Sequence, residues 1–353
     1  MINPSNLEMH DVLAAFHAVP DAATRNYYAC PVDPTSPGGM VLSHFKGIAA
    51  YADKLIFTHT DLEAGATSGR YLIADRLRAG AEGTIAATYD TDEKDWCHPC
   101  SSQACGSFMA MGIQPTETSG DQSMIQICDL QATLRNEPMR VLGSIARTEG
   151  INGVGMTKEA GPGGRYIVAG VNGNSLTLYR SRSDTLLQGQ ILFDPVYHTC
   201  TFAESGAGLA LVTQTDGRMF MFTLNADDDG SNNLMCLYSI DLAAGLPLSR
   251  VGHRIMPVPG VSQSLTDLLS YMLNAQTPLG NAIVLILWAL AETYMNSSFR
   301  WGKGLAITSP DTVTVYASDR NVLPLSHLTP TRQDFSLVVW GPAGGEPIPL
   351  SQS

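Results

Sequence analysis

Charged residues are scarce in this chain of 353 residues, at 15% of the total against about a quarter in an average protein. Bases are scarcer than acids, with 21 Lys and Arg against 33 Asp and Glu, so the formal net charge is -12. Binding to nucleic acid or to an anionic membrane surface requires a basic footprint, so we expect neither partner. The hydrophobic content of 44% is enough to bury a core, in one large domain or two.

Long apolar runs and targeting signals are also missing. The N-terminal segment has neither a basic start nor an apolar stretch of secretory type, so we expect a cytoplasmic protein. The most apolar run, residues 282–290, is too short to cross a bilayer, which takes about 20 residues. A buried or interface helix is the better interpretation of this run.

Cofactor and nucleotide motifs are absent from the sequence: there is no phosphate loop, dinucleotide fingerprint, HExxH or GxSxG. Seven cysteines include the pair Cys97 and Cys100 around His98, at a spacing that zinc or a disulfide could use. A structural zinc site needs a second pair of ligands, and no other CxxC exists. We therefore expect free thiols, no metal and no cofactor.

A weak internal repeat of about 50 residues is the most informative feature. Each copy has short strand-like runs separated by Gly, Asp, Asn and Pro, a pattern that indicates an all-β fold. A glycine followed by an apolar residue recurs at Gly47, Gly155, Gly208 and Gly304. Four strands per repeat is typical of a propeller blade, and repeats of this length occur in propellers.

In these repeats the chain resembles the β-propeller superfamily, by architecture only, since it has no WD dipeptide, kelch di-glycine or YWTD motif. The resemblance implies one propeller domain over residues 41–342, with five four-stranded blades. Six blades result if residues 25–41 and the C-terminal strand build another, and a pair of β-sandwiches is the alternative fold. Residues 1–40 are then an extension that packs on or closes the propeller, and residues 343–353 are a tail.

One segment departs from the repeat. Residues 261–297 show helical spacing interrupted at Pro278, which predicts a helical hairpin inserted between the fourth and fifth blades. Its second helix is apolar on nearly every face, so something must cover it. The candidates are the propeller flank, the channel mouth, or a second copy of the chain in a homodimer.

The candidate site follows from aligning the repeats, since the innermost strands of a propeller line its central channel. The alignment brings polar side chains to the starts of those strands. We predict His44, His98 and Glu204 as acid or base groups. The predicted ligand-binding residues are Lys46, Gln103, Asn152, Arg300, Trp301 and Lys303. For each His, a structural hydrogen bond is the alternative, and for Trp301 it is a place in the core.

Two classes of function fit this site. The first is a cofactor-independent enzyme, of lyase, isomerase, cyclase or hydrolase type, acting on an anionic or carbonyl-bearing small molecule. Lys46, Arg300 and Lys303 would bind its oxygens. The second is a non-catalytic module that binds a protein, peptide or glycan, because fold alone does not separate the two. Convergence of these side chains on one pocket would favour the enzyme.

Overall fold

The structure, a computed structural model, describes ten stretches of the chain: residues 8–30, 44–60, 69–91, 96–115, 122–203, 208–227, 232–241, 248–258, 297–320 and 334–341. Within them it is an all-β protein built of four-stranded antiparallel sheets, and the fold is a β-propeller. The predicted fold class is therefore confirmed. The predicted helical hairpin at 261–297 and the tail at 343–353 lie outside the described residues, apart from Ser297.

The described strands form five antiparallel groups of four, each running outward from an inner strand. The first group is β2 (His44–Tyr51), β3 (Lys54–Thr60), β4 (Arg70–Asp75) and β5 (Glu82–Asp90), and the second is β6 (His98–Cys105), β7 (Phe108–Gln114), β8 (Ser123–Asp129) and β9 (Arg140–Arg147). The third group is β10 (Gly153–Lys158), β11 (Tyr166–Asn172), β12 (Ser175–Ser181) and β13 (Phe193–Thr199), and the fourth is β14 (Gly208–Thr213), β15 (Met219–Asn225), β16 (Leu234–Ile240) and β17 (Leu248–Ile255). The last group is β18 (Ser298–Ser309), β19 (Thr312–Ser318), β20 (Asp334–Trp340) and β1 (Thr24–Ala29).

Burial changes from the middle to the rim of each group. The second strands are covered on both faces by the neighbouring groups, so β7 and β15 read as continuous apolar runs that are buried almost throughout. The fourth strands, such as β9 and β17, alternate between covered and exposed positions because only one face packs inward. The apolar core accordingly consists of clusters between neighbouring groups, one at each junction of the described strands.

The recurring glycines mark where neighbouring inner strands meet. A Cβ on Gly47 would lie 2.7 Å from Ser102 N of the second group, and one on Gly304 would lie 1.8 Å from Ile48 O of the first. A Cβ on Gly155 would come within 3.1 Å of Leu211 N. These close approaches explain why the repeat carries a glycine there, and they link the inner strands in chain order into a ring.

The last group takes its outer strand from the N-terminal part of the chain. Strand β1 pairs antiparallel with β20, from Thr24 opposite Val339 to Ala29 opposite Asp334. Buried Asp319 supports this junction by accepting hydrogen bonds from Ser297 Oγ at 2.6 Å and Ser336 Oγ at 2.7 Å. Strand β1 thus supplies the fourth strand of the last group, although the six-bladed alternative would place residues 25–41 in a further blade.

The only helix of more than five residues in the described stretches is α1 (Val12–Ala18). Asp11 caps its start, with the side chain accepting from Ala14 N at 2.9 Å, and Arg254 donates to the carbonyl of Phe16 at its end at 3.0 Å. Phe16 packs where a Cβ on Gly252 would stand, 2.7 Å from the ring. The helix is far too short to span a bilayer, and no other described helix could do so.

Candidate functional site

A cavity of about 690 Å³ opens where the inner strands begin, and we call it the strand-start cavity. Its volume lies in the usual range of small-molecule sites, roughly 300–1,000 Å³. The described residues that line it are Lys46, His98, Cys100, Asn152, Gly173, Asn225, Ala226, Asp227, Arg300 and Lys303. Five of the predicted site residues therefore share one cavity.

Bulges in three inner strands place the side chains that line this cavity. The pairing of β2 with β3 breaks between Phe45 and Ile48, and that of β6 with β7 breaks between Pro99 and Ser102. Strand β18 skips from Ser298 to Lys303 in the same way. Bulges redirect side chains and occur next to active sites. Here they lie at Lys46, Cys100 and Arg300, the positions that face the cavity.

Lys303 is the most unusual of the lining residues, because it is only 6% exposed. It pairs with Gly47 across the first and last groups, so Lys46 and Lys303 lie on neighbouring strands. Its methylene chain lies against the fourth group, where a Cβ on Gly208 would be 2.9 Å from Lys303 Cγ. Burial and the charge of Lys46 lower the pKa of Lys303 to about 7, although Cys100 opposes the shift.

Three cationic side chains and one carboxylate meet in the described lining. Arg300 lies over the ring of Trp301, with Cζ 4.6 Å from the ring centroid, which fixes the guanidinium beside the cavity. Asp227 contributes the carboxylate, and it accepts a hydrogen bond from Asn232 Nδ2 at 2.6 Å. This arrangement can bind an anionic or strongly polarised oxygen of a ligand.

His98 supplies a buried imidazole to the same cavity, with 1% of its surface exposed. Its Nδ1 lies 3.4 Å from Cys100 Sγ, whereas its Nε2 has no hydrogen-bond partner within the stretches that the structure describes. Burial lowers the pKa of His98 well below its usual value, and the charge of Lys46 adds to the effect. A neutral imidazole at a cavity wall can accept or relay a proton.

His44 and Trp301 stand behind this wall and do not line the cavity. The His44 ring centroid is 5.8 Å from that of His98 and 5.7 Å from that of Trp301. Trp301 is 7% exposed, and Arg320 Cζ lies 4.7 Å from its ring centroid, in addition to the contact with Arg300. Both residues therefore shape the wall, and the Trp301 ring lies between His44 and the two arginines.

Gln103 and Asn152, both predicted to bind the ligand, lie in different parts of the channel. Gln103 lies deeper in the channel, where its Oε1 accepts from Met156 N and Leu211 N, both at 2.7 Å, and its Nε2 donates to Leu211 O at 2.8 Å. It thereby joins three inner strands and is separate from the cationic residues. Asn152 lines the strand-start cavity and donates to Asn172 Oδ1 at 3.4 Å.

The described carboxylates of the candidate site differ from the predicted ones at two residues, Glu204 and Asp227. Glu204 lies outside the described residues, and its role stays a prediction. Asp227 was missed because the prediction considered only the starts of the inner strands, whereas this residue follows β15. A signal existed nonetheless: a turn after a second strand projects at the same end of the channel as the start of the inner strand beside it.

A second cavity, of about 120 Å³, lies where the inner strands end, and we call it the strand-end cavity. Its described lining carries bases and acids in equal number, Arg76 and Lys158 with Glu8 and Glu159. Glu159 pairs with Arg180 at 2.7 Å. Gln103 contributes to the wall of this cavity and is not among the described residues that line the strand-start cavity.

Comparisons with known proteins add resemblance at the level of architecture. No family model and no curated protein matches the chain. Solved structures with a similar arrangement include the GH43 endo-arabinanase from Bacillus licheniformis, with 10% identity and a TM-score of 0.48 over 88% of this chain and 96% of that one. The GH32 β-fructofuranosidase BmSUC1 from Bombyx mori has 7% identity and a TM-score of 0.45, over 90% of this chain and 62% of that one.

A third structure is a mutant of the α-L-arabinofuranosidase arb93a from Fusarium graminearum in complex with an iminosugar inhibitor. It has 10% identity and a TM-score of 0.41, over 95% of this chain and 97% of that one. At these identities and scores the likeness carries no argument about activity. The functional argument therefore rests on the side chains of the strand-start cavity.

Proposed function

We propose that the protein is a cofactor-independent enzyme that binds an anionic, carbonyl-bearing small molecule in the strand-start cavity. The observation that carries this proposal is the convergence of Lys46, Arg300 and Lys303 with His98 on one cavity. Cationic side chains that converge on one cavity attract an anionic oxygen of a ligand, and Arg and Lys are the usual residues that bind it. This attraction is the physical reason to expect an anionic ligand there.

Each residue has a role that fits its position. Arg300, fixed on Trp301, presents a planar donor that suits a carboxylate, while Lys46 adds a point charge. His98 lies deeper, with an imidazole that burial keeps neutral, and moves a proton to or from the ligand. Perturbed histidine and lysine side chains in one cleft are typical of catalytic sites more than of recognition surfaces.

The experiment is a thermal-melt screen with matched anionic and neutral ligands, namely pyruvate and citrate against acetone and glycerol. Binding to the folded state stabilises it by mass action, by about 2.7 kcal/mol at 100 times Kd, and so raises the melting temperature. We expect the anions to stabilise the protein and the neutral compounds to have little effect. The stabilisation should disappear in Arg300→Met and persist in Lys158→Met, which changes a cation of the strand-end cavity.

Equal responses to anionic and neutral compounds, or retention of the full response in Arg300→Met, would show that the cationic residues do not form the binding site. A response to anions without turnover of any carbonyl compound would favour the alternative, a non-catalytic binding module. Turnover can be followed by NMR of the pyruvate methyl signal in the presence of the protein.

A further inference from the structure

Two lysines of this chain are buried in the described stretches, and they differ in their surroundings. Lys54, 5% exposed, donates to the Asp75 carboxylate and, at 3.0 Å, to Asn136 Oδ1, which is the environment of a structural ion pair. Lys303, 6% exposed, faces a cavity, and the described titratable groups that act on it include the Lys46 cation and the Cys100 thiol. A lysine desolvated beside another cation is the usual setting of a nucleophilic amine.

From this geometry we propose that the ε-amine of Lys303 is the nucleophile of the strand-start cavity and forms a transient imine with a substrate of the 2-oxo acid class. The inference rests on the proposed function, since it uses the same cavity and the same anionic ligand. It adds the reacting atom and the substrate class. Arg300 and Lys46 then bind the carboxylate, and the adjacent carbonyl carbon lies towards Lys303.

The chemical step balances without any further reagent. The nitrogen lone pair attacks the carbonyl carbon, and the π electrons of the C=O bond pass to oxygen, which takes up a proton. The nitrogen loses one proton and the new hydroxyl group takes up a second proton. The C–O bond then breaks, and water leaves as the C=N bond of a protonated imine forms. Addition of water reverses these steps and restores the amine. His98 is the described group in the cavity that can carry the protons.

The position of Lys303 is fixed by its backbone neighbours. Gly208 leaves room for its methylene chain, and the pairing of Lys303 with Gly47 holds the strand beside Lys46. Among the described residues, the groups that face the amine from the surrounding elements are Lys46, His98 and Cys100, with Arg300 and Asp227 at the cavity wall. The charge of Lys46 favours the neutral amine that the attack requires.

The test is reductive trapping with borohydride, which converts an imine into a stable secondary amine. The full chain is incubated with pyruvate and sodium cyanoborohydride, digested, and mapped by mass spectrometry. The sequence has five lysines, so every site can be followed: Lys46, Lys54, Lys94, Lys158 and Lys303. We expect modification at Lys303 to exceed that at Lys158 at least tenfold, and acetone, which lacks the carboxylate, to react much less.

Two variants and a pH series sharpen the result. Lys303→Met should remove the adduct while the protein still melts cooperatively, because methionine fills a similar volume without a buried charge. Lys158→Met should keep the Lys303 adduct. The initial trapping rate should rise between about pH 6 and pH 8 as the ammonium loses its proton, and more steeply at Lys303 than at an exposed lysine.

The outcomes separate this inference from the proposed function. Stabilisation by pyruvate without an adduct at Lys303 would overturn the imine and leave the anion site in place. Equal modification of all five lysines, or an unchanged total yield in Lys303→Met, would also overturn it. Absence of both stabilisation and adduct would overturn the proposed function together with the inference.

Discussion

The two ends of the channel are built from the same inner strands and yet differ in chemistry. At the strand-end cavity, bases and acids are matched in number, and Gln103 satisfies backbone groups of two other strands. At the strand-start cavity, three cations meet one described carboxylate, and an imidazole is buried beside them. The bulges that redirect Lys46, Cys100 and Arg300 occur at this end of the strands.

The difference shows how a repeated scaffold acquires a site. Residues that hold the strands together, such as Gln103, are hydrogen-bonded to backbone and lie where the strands pair regularly. Lys46, Cys100 and Arg300 face the strand-start cavity where pairing is interrupted, so their side chains are directed by the bulge and not by the ladder. The proposed site and the backbone bonds of Gln103 thus lie at different ends of one channel, and each can be perturbed separately.

The largest effect should come from Gln103→Ala at the strand-end side. It removes the partners of Met156 N, Leu211 N and Leu211 O in the channel interior. Buried groups left without partners cost roughly 1–3 kcal/mol each, so we expect a loss of about 3–5 kcal/mol in the free energy of unfolding. Urea denaturation followed by circular dichroism measures it.

Gln126 provides the matched control for this variant. It is also buried, but its side-chain Nε2 and Oε1 have no hydrogen-bond partners in the described stretches. Gln126→Met should therefore be neutral or stabilising. Equal losses in the two variants would mean that the cross-strand bonds of Gln103 contribute nothing specific.

Lys303→Met should have the next largest effect, on ligand affinity at the strand-start cavity. Loss of one of three cations should weaken binding of pyruvate or citrate at least tenfold, which corresponds to about 1.4 kcal/mol. The unliganded protein should be at least as stable as before, since a buried amine with a perturbed pKa is removed. Isothermal titration gives the affinity and a thermal melt gives the stability. A variant that binds citrate normally would place the ligand elsewhere.

The pH dependence of stability follows from the same lysine. Its pKa is about 7 in the folded protein and about 10.4 in the unfolded chain, so between these values the unfolded state binds more protons. Stability of the unliganded protein therefore rises with pH in this window, by linkage. Anion affinity should fall in the same window, because the ammonium form binds better. In Lys303→Met both trends should be reduced; identical pH profiles would contradict the assignment.

Gly208→Ala should have a smaller effect, of a few-fold in anion affinity. Its Cβ would lie 2.9 Å from Lys303 Cγ, so the lysine chain must shift within the cavity. Gly143→Ala is the control, because its Cβ would lie at 3.2 Å from Ile191 Cβ, on an outer strand. The comparison by isothermal titration should show a loss in the first variant alone. Loss in both would indicate a general effect on packing.

The smallest effect should be that of Lys158→Met on anion binding. This lysine lies at the strand-end cavity, with Nζ 5.1 Å from the centroid of the Tyr166 ring. Loss of that contact should cost about 0.5–1 kcal/mol in stability and leave citrate affinity unchanged. A change in affinity as large as that of Lys303→Met would show that the two ends of the channel are coupled.

Much of the fold was predictable, because the sequence repeat reflects contacts that recur in each group of strands. The glycine of each repeat recurs since a side chain there would collide with the next inner strand, as at Gly47 and Gly304. The origin of the fourth strand of the last group was not predictable from the repeat itself. It is supplied by residues 24–29, whose pairing with β20 depends on tertiary contact and leaves no periodic trace.

The convergence of candidate residues on one cavity was predictable, whereas the list of residues that line this cavity was less so. Alignment of the strand starts brought Lys46, His98, Arg300 and Lys303 together, because equivalent positions in a ring face one channel. It did not separate lining residues from those one layer behind, such as His44 and Trp301. The bulges at Lys46, Cys100 and Arg300 contribute to that distinction, and they follow from no composition rule.

The pairing of Thr24 with Val339 joins positions 315 residues apart, and this has a consequence for biosynthesis. Strand β1 leaves the ribosome early, whereas its partner β20 is made only after the other groups. Until then β1 has exposed donors and acceptors along the edge that later meets β20, and such edges invite pairing with other chains. Ring closure is therefore expected to be a late, slow step with a strong dependence on chaperones, as is usual where distant strands must meet.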